Sequence, residues 1–215
     1  LFPGVLMFFF ISGFLIMSSY DRNNNLKRYT VNRILRIFPA LLVCLFVTVV
    51  LLLSFKIIEF KNLIQHPILT WLFAQSTFFQ FWTPDLLRDW GVGTPNGSLW
   101  TITVELQFYI ILPILILVFK RIKLINKIIV LGLITLIFNF YFNQNLEFNQ
   151  SILEKLVNVS FIPYLIYFLL GVAIYIYWNK IKFYFEGKAI YWLIIYITFC
   201  YSFDVFPSYH PEKME

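Results

Sequence analysis

The chain has 215 residues, of which 60% are hydrophobic, 21% aromatic and only 13% charged. A soluble domain carries about 25% charge, so this composition excludes a water-soluble globular protein and indicates an integral membrane protein. The formal net charge of +6 comes without a basic tail or a basic helix face interleaved with aromatics, which argues against nucleic acid and for the lipid bilayer as partner.

In chain order, the first apolar run covers roughly 2–19 and contains Gly4-Val-Leu-Met-Phe-Phe-Phe-Ile-Ser12-Gly13-Phe14-Leu-Ile16. A Ser12-Gly13 pair inside an apolar helix lets a neighbouring helix or a ligand chain approach closely. Taken alone, it reads first as helix packing. Segment 20–36 follows with Arg22, Lys27, Arg28, Arg33 and Arg36 against a single acid, Asp21. Its last part, Arg33-Ile-Leu-Arg36-Ile-Phe-Pro39, stands at the mouth of a second run at 37–55. Arg33 and Arg36 are three residues apart, so their guanidinium groups are expected to share a face and converge on one anion, for which the planar fork is suited. The competing reading makes them anchors at the head-group level. Pro39 is tolerable there if the helix starts nearby.

Segment 56–97 is long and holds a weaker apolar run at 68–81, interrupted by Gln75, Ser76, Thr77 and Gln80; a re-entrant or interfacial piece is expected. It ends in turn formers up to Asn96-Gly97, which makes Ser98 the expected N-cap of the next helix. That helix, 99–119, carries the most unusual residue of the chain. In Ser98-Leu-Trp100-Thr-Ile-Thr-Val-Glu105-Leu-Gln-Phe-Tyr109, helical spacing lines Ser98, Thr101, Glu105 and Tyr109 along one face. A carboxylate at bilayer depth costs several kcal/mol and marks a functional site by default, facing a bundle interior or a water-filled cavity. A structural carboxylate paired to a buried arginine or a backbone group is the alternative.

The remaining runs are 124–142, 158–177 and 189–206, about six crossings in all, giving an all-α polytopic transmembrane bundle in one membrane-embedded domain, 1–215. Phe168-Leu-Leu-Gly171 in the fifth reads as a packing notch. Segments 120–127 (Lys120, Arg121, Lys123, Lys127) and 178–188 (Lys180, Lys182, Lys188) complete a set of three basic segments holding twelve of the 17 basic residues. They share one side only if 68–81 does not cross, and the positive-inside rule makes that side cytoplasmic. Cys44 and Cys200 lie in apolar runs, and His66 and His210 stand apart from other ligand types, so no metal site is expected. The chain opens and closes without an evident terminal element and is expected to be incomplete at both ends.

The patterns Gly4–Ile16, Arg33–Pro39 and Ser98–Tyr109, followed by Phe168–Gly171, together resemble the acyltransferase-3 family of membrane O-acyltransferases over roughly residues 1–180. The resemblance implies transfer of an acyl group, usually acetyl, from cytoplasmic acyl-CoA to a hydroxyl of a lipopolysaccharide, capsule or other exported glycan, in the bacterial inner membrane. Under it Arg33 and Arg36 become expected ligands of the CoA phosphates. Glu105 and Ser98 become the catalytic candidates, with Trp100, Tyr109, Ser12 and Gly13 at the substrate. The family also carries a histidine in a crossing upstream of the Gly4 element, and neither His66 nor His210 has that place, so these residues alone are expected to be inactive. A glycan or lipid transporter and a non-catalytic membrane subunit are the competing functions.

Overall fold

A computed structural model describes residues 4–22, 25–89, 93–118, 122–144 and 156–202. Trp90, Lys120, Arg121, Glu147, Glu154, His210, Glu212 and Glu215 lie outside them, as does the side chain of Cys200. The described residues form seven α-helices: α1 (Gly4–Arg22), α2 (Leu26–Ser54), α3 (Ile68–Gln75), α4 (Trp100–Leu117), α5 (Leu124–Gln144), α6 (Leu165–Phe185) and α7 (Ala189–Ser202). The all-α polytopic reading holds, but five described helices, not six, are long and apolar enough to cross a bilayer. The described part of α7 has 14 residues, about 21 Å, short of the ~30 Å hydrocarbon layer. With eight residues, about 12 Å, α3 cannot cross either, in agreement with the expectation for 68–81.

Several boundaries differ from those read off hydropathy. The second crossing begins eleven residues before 37, because Asn25 caps α2 there, its side chain accepting from the N–H of Lys27 at 2.9 Å and of Arg28 at 3.4 Å. Arg33, Arg36 and Pro39 are therefore all inside a 29-residue helix, and Pro39 is not near its start. Segment 178–188 is likewise mostly helix: no breaker follows the crossing until Gly187, whose φ of +72° makes the turn into α7. The cap is also two residues earlier than expected, since Asn96, not Ser98, caps the 3-10 turn Gly97–Leu99 that leads into α4. Its carboxamide oxygen accepts from the Ser98 N–H at 3.2 Å.

The far end of α2 closes with Lys56 in the left-handed region at φ +57°. The Lys56 N–H donates to Leu53 O at 3.0 Å and the Ile57 N–H to Leu52 O at 2.9 Å, the double bond of a Schellman cap. Ile57 then packs on the cluster of Leu52, Ile58, Ile68, Trp71 and Leu87, which fastens α3 and the 56–97 segment onto the end of α2.

The most extensive helix pairing is α1 against α6. A Cβ on Gly13 would lie 2.1 Å from Phe168 O, and one on Gly171 would lie 1.9 Å from Phe10 O, so the two glycines let the backbones touch. Around this crossing Phe9, Phe108 and Phe168 are fully buried, and the rings of Phe108 and Phe168 stack at 4.1 Å. Lys127 on α5 reaches the C-terminal end of α4 and donates to Leu115 O at 2.9 Å, Ile116 O at 3.3 Å and Val118 O at 2.5 Å. A cation there satisfies carbonyls that the helix leaves open and matches its dipole. Following the five crossings, the ends bearing Arg22–Arg36, Lys123–Lys127 and Lys180–Lys188 fall at one end of the bundle, with 56–97 at the other.

Candidate functional site

Helices α1, α2 and α4 enclose a cavity of about 520 Å3 lined by Ser12, Arg36, Cys44, Ser98, Thr101 and Glu105 among others. The volume suits a ligand of cofactor size. Four of the sequence-derived candidates, Ser12, Arg36, Ser98 and Glu105, thus meet on one wall system, and the polar face of α4 looks into it as its spacing requires. Arg36 lies ten residues inside α2, in the half nearer its basic end, while Ser98 and Asn96 stand at the start of α4, toward the opposite end of the bundle. The cavity is therefore elongated along the helices.

Glu105 is partly buried and enters no ion pair among the described residues; the ion pairs there are Lys61–Glu59 and Arg88–Asp85, both exposed. The alternative of a carboxylate neutralised by a buried arginine is not what the structure shows. Instead the Tyr109 hydroxyl, one turn along α4, donates to Glu105 Oε1 at 2.5 Å. Tyr109 is itself buried and does not line the cavity, so it reaches the site through Glu105. Its position is fixed from the other side by Pro113. Proline has no N–H for the carbonyl four residues back, which is that of Tyr109, and the Tyr29 hydroxyl donates to that carbonyl at 3.2 Å instead.

The two arginines do not converge. Three residues leave an offset of about 60° on a helix, and across it Arg33 turns to the rings of Tyr29 and Tyr109 while Arg36 faces the cavity. Arg36 is exposed to the cavity, whereas Arg33 is 6% exposed and sits between the rings of Tyr29 at 5.6 Å and Tyr109 at 5.2 Å. Its Nε and Nη1 are buried without a hydrogen-bond partner. Arg33 is therefore a cation held by aromatic faces behind Tyr109, in place of the expected second ligand on a shared anion. Gly13 likewise faces α6 and not the cavity, and the α1–α6 contact accounts for it.

Trp100 turns away from this cavity. Its ring packs edge-on to Phe9 at 6.4 Å and tilted against Tyr164 at 5.6 Å, and it lines a second cavity at the 56–97 end. Just outside α6, burial holds the Tyr164 phenol above its ordinary value, so it stays neutral; its hydroxyl donates to Asn158 O at 3.0 Å. Sequence reading assigned no role to Gln107, although it lies in the Ser98–Tyr109 pattern. Its amide donates to Val159 O at 3.2 Å and accepts from the Phe161 N–H at 2.9 Å, tying the approach to α6 onto α4. Asn96, read from the sequence only as a turn former, caps the 3-10 turn before α4 and donates to Cys44 Sγ at 3.1 Å, a tie between that turn and α2 in the cavity wall.

A family model described as an acyltransferase domain matches residues 2–214. Nodulation protein 10 of Rhizobium leguminosarum bv. viciae is 32% identical over 204 residues, covering 91% of this chain and 54% of that protein. The peptidoglycan O-acetyltransferase OatA of Listeria monocytogenes is 32% identical over 145 residues, covering 62% of this chain and 23% of that protein. The chain thus spans about half the length of the first relative and about a quarter of the second. No solved structure matches it. With the family model covering nearly the whole chain and the Ser98–Tyr109 pattern lining a cavity, the chain belongs to the acyltransferase-3 family of integral membrane proteins.

Proposed function

We propose that the full-length protein transfers an acyl group, acetyl in the first instance, from acyl-CoA to a hydroxyl of a cell-surface or exported glycan. The observation that carries this reading is the cavity between α1, α2 and α4, which brings Arg36 and Glu105, neither in an ion pair among the described residues, to one elongated space. Acyl-CoA is a polyanion, and Arg36 stands where its phosphates enter if the basic end of the bundle faces the cytoplasm of a bacterial inner membrane. The thioester then lies deeper, toward Glu105 and Ser98. The acceptor arrives from the 56–97 end. The Listeria relative, named as an O-acetyltransferase of peptidoglycan, supports both acetyl and a glycan.

Attack by a sugar hydroxyl requires a group that takes its proton near neutral pH, and imidazole meets that requirement best. His66, the histidine among the described residues, precedes α3 and lines neither cavity. Glu105, held by Tyr109, accordingly acts as the partner of such a base: it stabilises the imidazolium that forms, or orients the acceptor hydroxyl. Mass spectrometry of surface glycans from strains with and without the intact gene tests the reading. Glycans lighter by one acetyl group in the deletion strain are the expected result; identical spectra contradict it.

A further inference from the structure

The second cavity, about 440 Å3, lies at the 56–97 end and is walled by Gln80, Thr83, Arg88, Thr94, Asn96 and Trp100. Its walls are fixed before any ligand arrives. Gln75 on α3 donates from one amide nitrogen to Gln80 O at 3.1 Å and Trp82 O at 3.0 Å, pinning the strap that carries Gln80. The Thr83 hydroxyl donates to the Thr94 hydroxyl at 3.1 Å, and Arg88 Nε donates to Thr83 O at 3.2 Å. Together these ties set residues 80–89 and 93–96 as a cup over the start of α4.

One wall group is left unfinished. Gln80 is 3% exposed; its side-chain oxygen and Phe78 O both lie 3.2 Å from the Thr103 hydroxyl, which has one proton to give, and its Nε2 is buried with no hydrogen-bond partner. A buried amide nitrogen without an acceptor costs on the order of 1–3 kcal/mol, a cost removed when a bound oxygen supplies one. The rest of the wall is chemically specific as well. Amides and hydroxyls share it with Trp100, Phe81 and Val159, and the single cation, Arg88, holds its Nε against Thr83 O and the exposed Asp85 carboxylate. An acyl tail would leave these polar groups without partners, and a phosphate would find no free cation cluster.

The cup also has a connection. Asn96 lines both cavities, and Trp100 is five residues from Glu105, about 7.5 Å along α4. We propose that the cup is the acceptor subsite: it holds one uncharged pyranose residue of the glycan, with Gln80 Nε2 donating to a sugar oxygen and Trp100 forming the apolar wall. A neighbouring residue of the same glycan then reaches past Asn96 toward Glu105. The proposal rests on the acyl-transfer reading above and adds the place and chemical class of the acceptor.

The test uses the full-length protein in membranes, acetyl-CoA, and surface glycan from the same cells stripped of its acetate by mild alkali. Initial rates are measured for the wild type, Gln80→Ala, the isosteric Gln80→Glu, and Thr94→Val. The expected result is a KM for glycan raised tenfold or more in both Gln80 variants, with the KM for acetyl-CoA within twofold of wild type. A glycan KM within twofold of wild type in both Gln80 variants overturns the subsite. So does a rise in both KM values together, because a distorted fold, and not a lost sugar contact, moves both. A wild type that acetylates no glycan is a different failure, that of the acyl-transfer reading itself.

Discussion

A carboxyl group that meets a tyrosine hydroxyl, and no cation among the described residues, leaves an oxygen open to a ligand. Glu105 is in that state, with Tyr109 aiming it and Arg33 stationed behind the Tyr109 ring. The buried Arg33 has no carboxylate partner among the described residues and therefore contributes little net stability, since desolvation offsets its contacts with the rings. Arg33→Leu is expected to leave the thermal midpoint of the full-length protein nearly unchanged, within about 1 kcal/mol, while lowering acetyl transfer roughly tenfold. A large loss of stability with full specific activity would make Arg33 structural. Arg36 acts differently because it faces the cavity. Arg36→Ala is expected to raise the KM for acetyl-CoA about tenfold, the loss of one charge-assisted contact of about 1.4 kcal/mol, with glycan KM unchanged. At this scale the polar face of α4 was legible, because 3.6-residue spacing alone brings Ser98, Thr101 and Glu105 to one side. The separation of Arg33 from Arg36 was not. It depends on two aromatic rings, one of them, Tyr109, from a different helix, α4.

At the scale of helices, three local devices hold the cavity open to its shape. The Gly13–Gly171 contact brings α1 against α6, the Asn96 cap starts α4, and Lys127 closes its end. Gly13→Ala places a methyl carbon in the Phe168 carbonyl and forces the helices apart. A loss of about 1–3 kcal/mol is expected, read as a lower thermal midpoint in detergent; an unchanged midpoint would show that α1 and α6 are not in backbone contact. Lys56→Gly should act in the opposite sense, raising stability by about 1 kcal/mol, since glycine adopts the left-handed conformation without the side-chain penalty. Helix existence was legible from apolar runs, and the failure of 68–81 to cross followed from its polar interruptions and from charge placement. Helix ends were less legible. Hydropathy stops at the first charges of 20–36 and 178–188, whereas helices continue through arginine and lysine until a cap or a left-handed residue ends them, at Asn25 and Gly187.

Over the whole molecule, five crossings set all three basic segments at one end and the polar cup at the other, with the elongated cavity between them. That polarity is what a reaction needs when the donor is a soluble polyanion on one side and the acceptor a glycan on the other. The family was legible in the sequence because its motifs are the residues that line the cavity or pack the helices around it. The cup was not, because Gln80, Thr83, Thr94 and Asn96 are ordinary loop residues until the chain folds them together over α4. The central claim is that Glu105 serves the chemistry of this cavity. Its most direct measurement is acetyl transfer from labelled acetyl-CoA to glycan by full-length Glu105→Gln, at membrane abundance matched to wild type. The expected result is a loss of roughly hundredfold or more, the scale of a group that assists proton transfer; transfer at the wild-type rate would contradict the account.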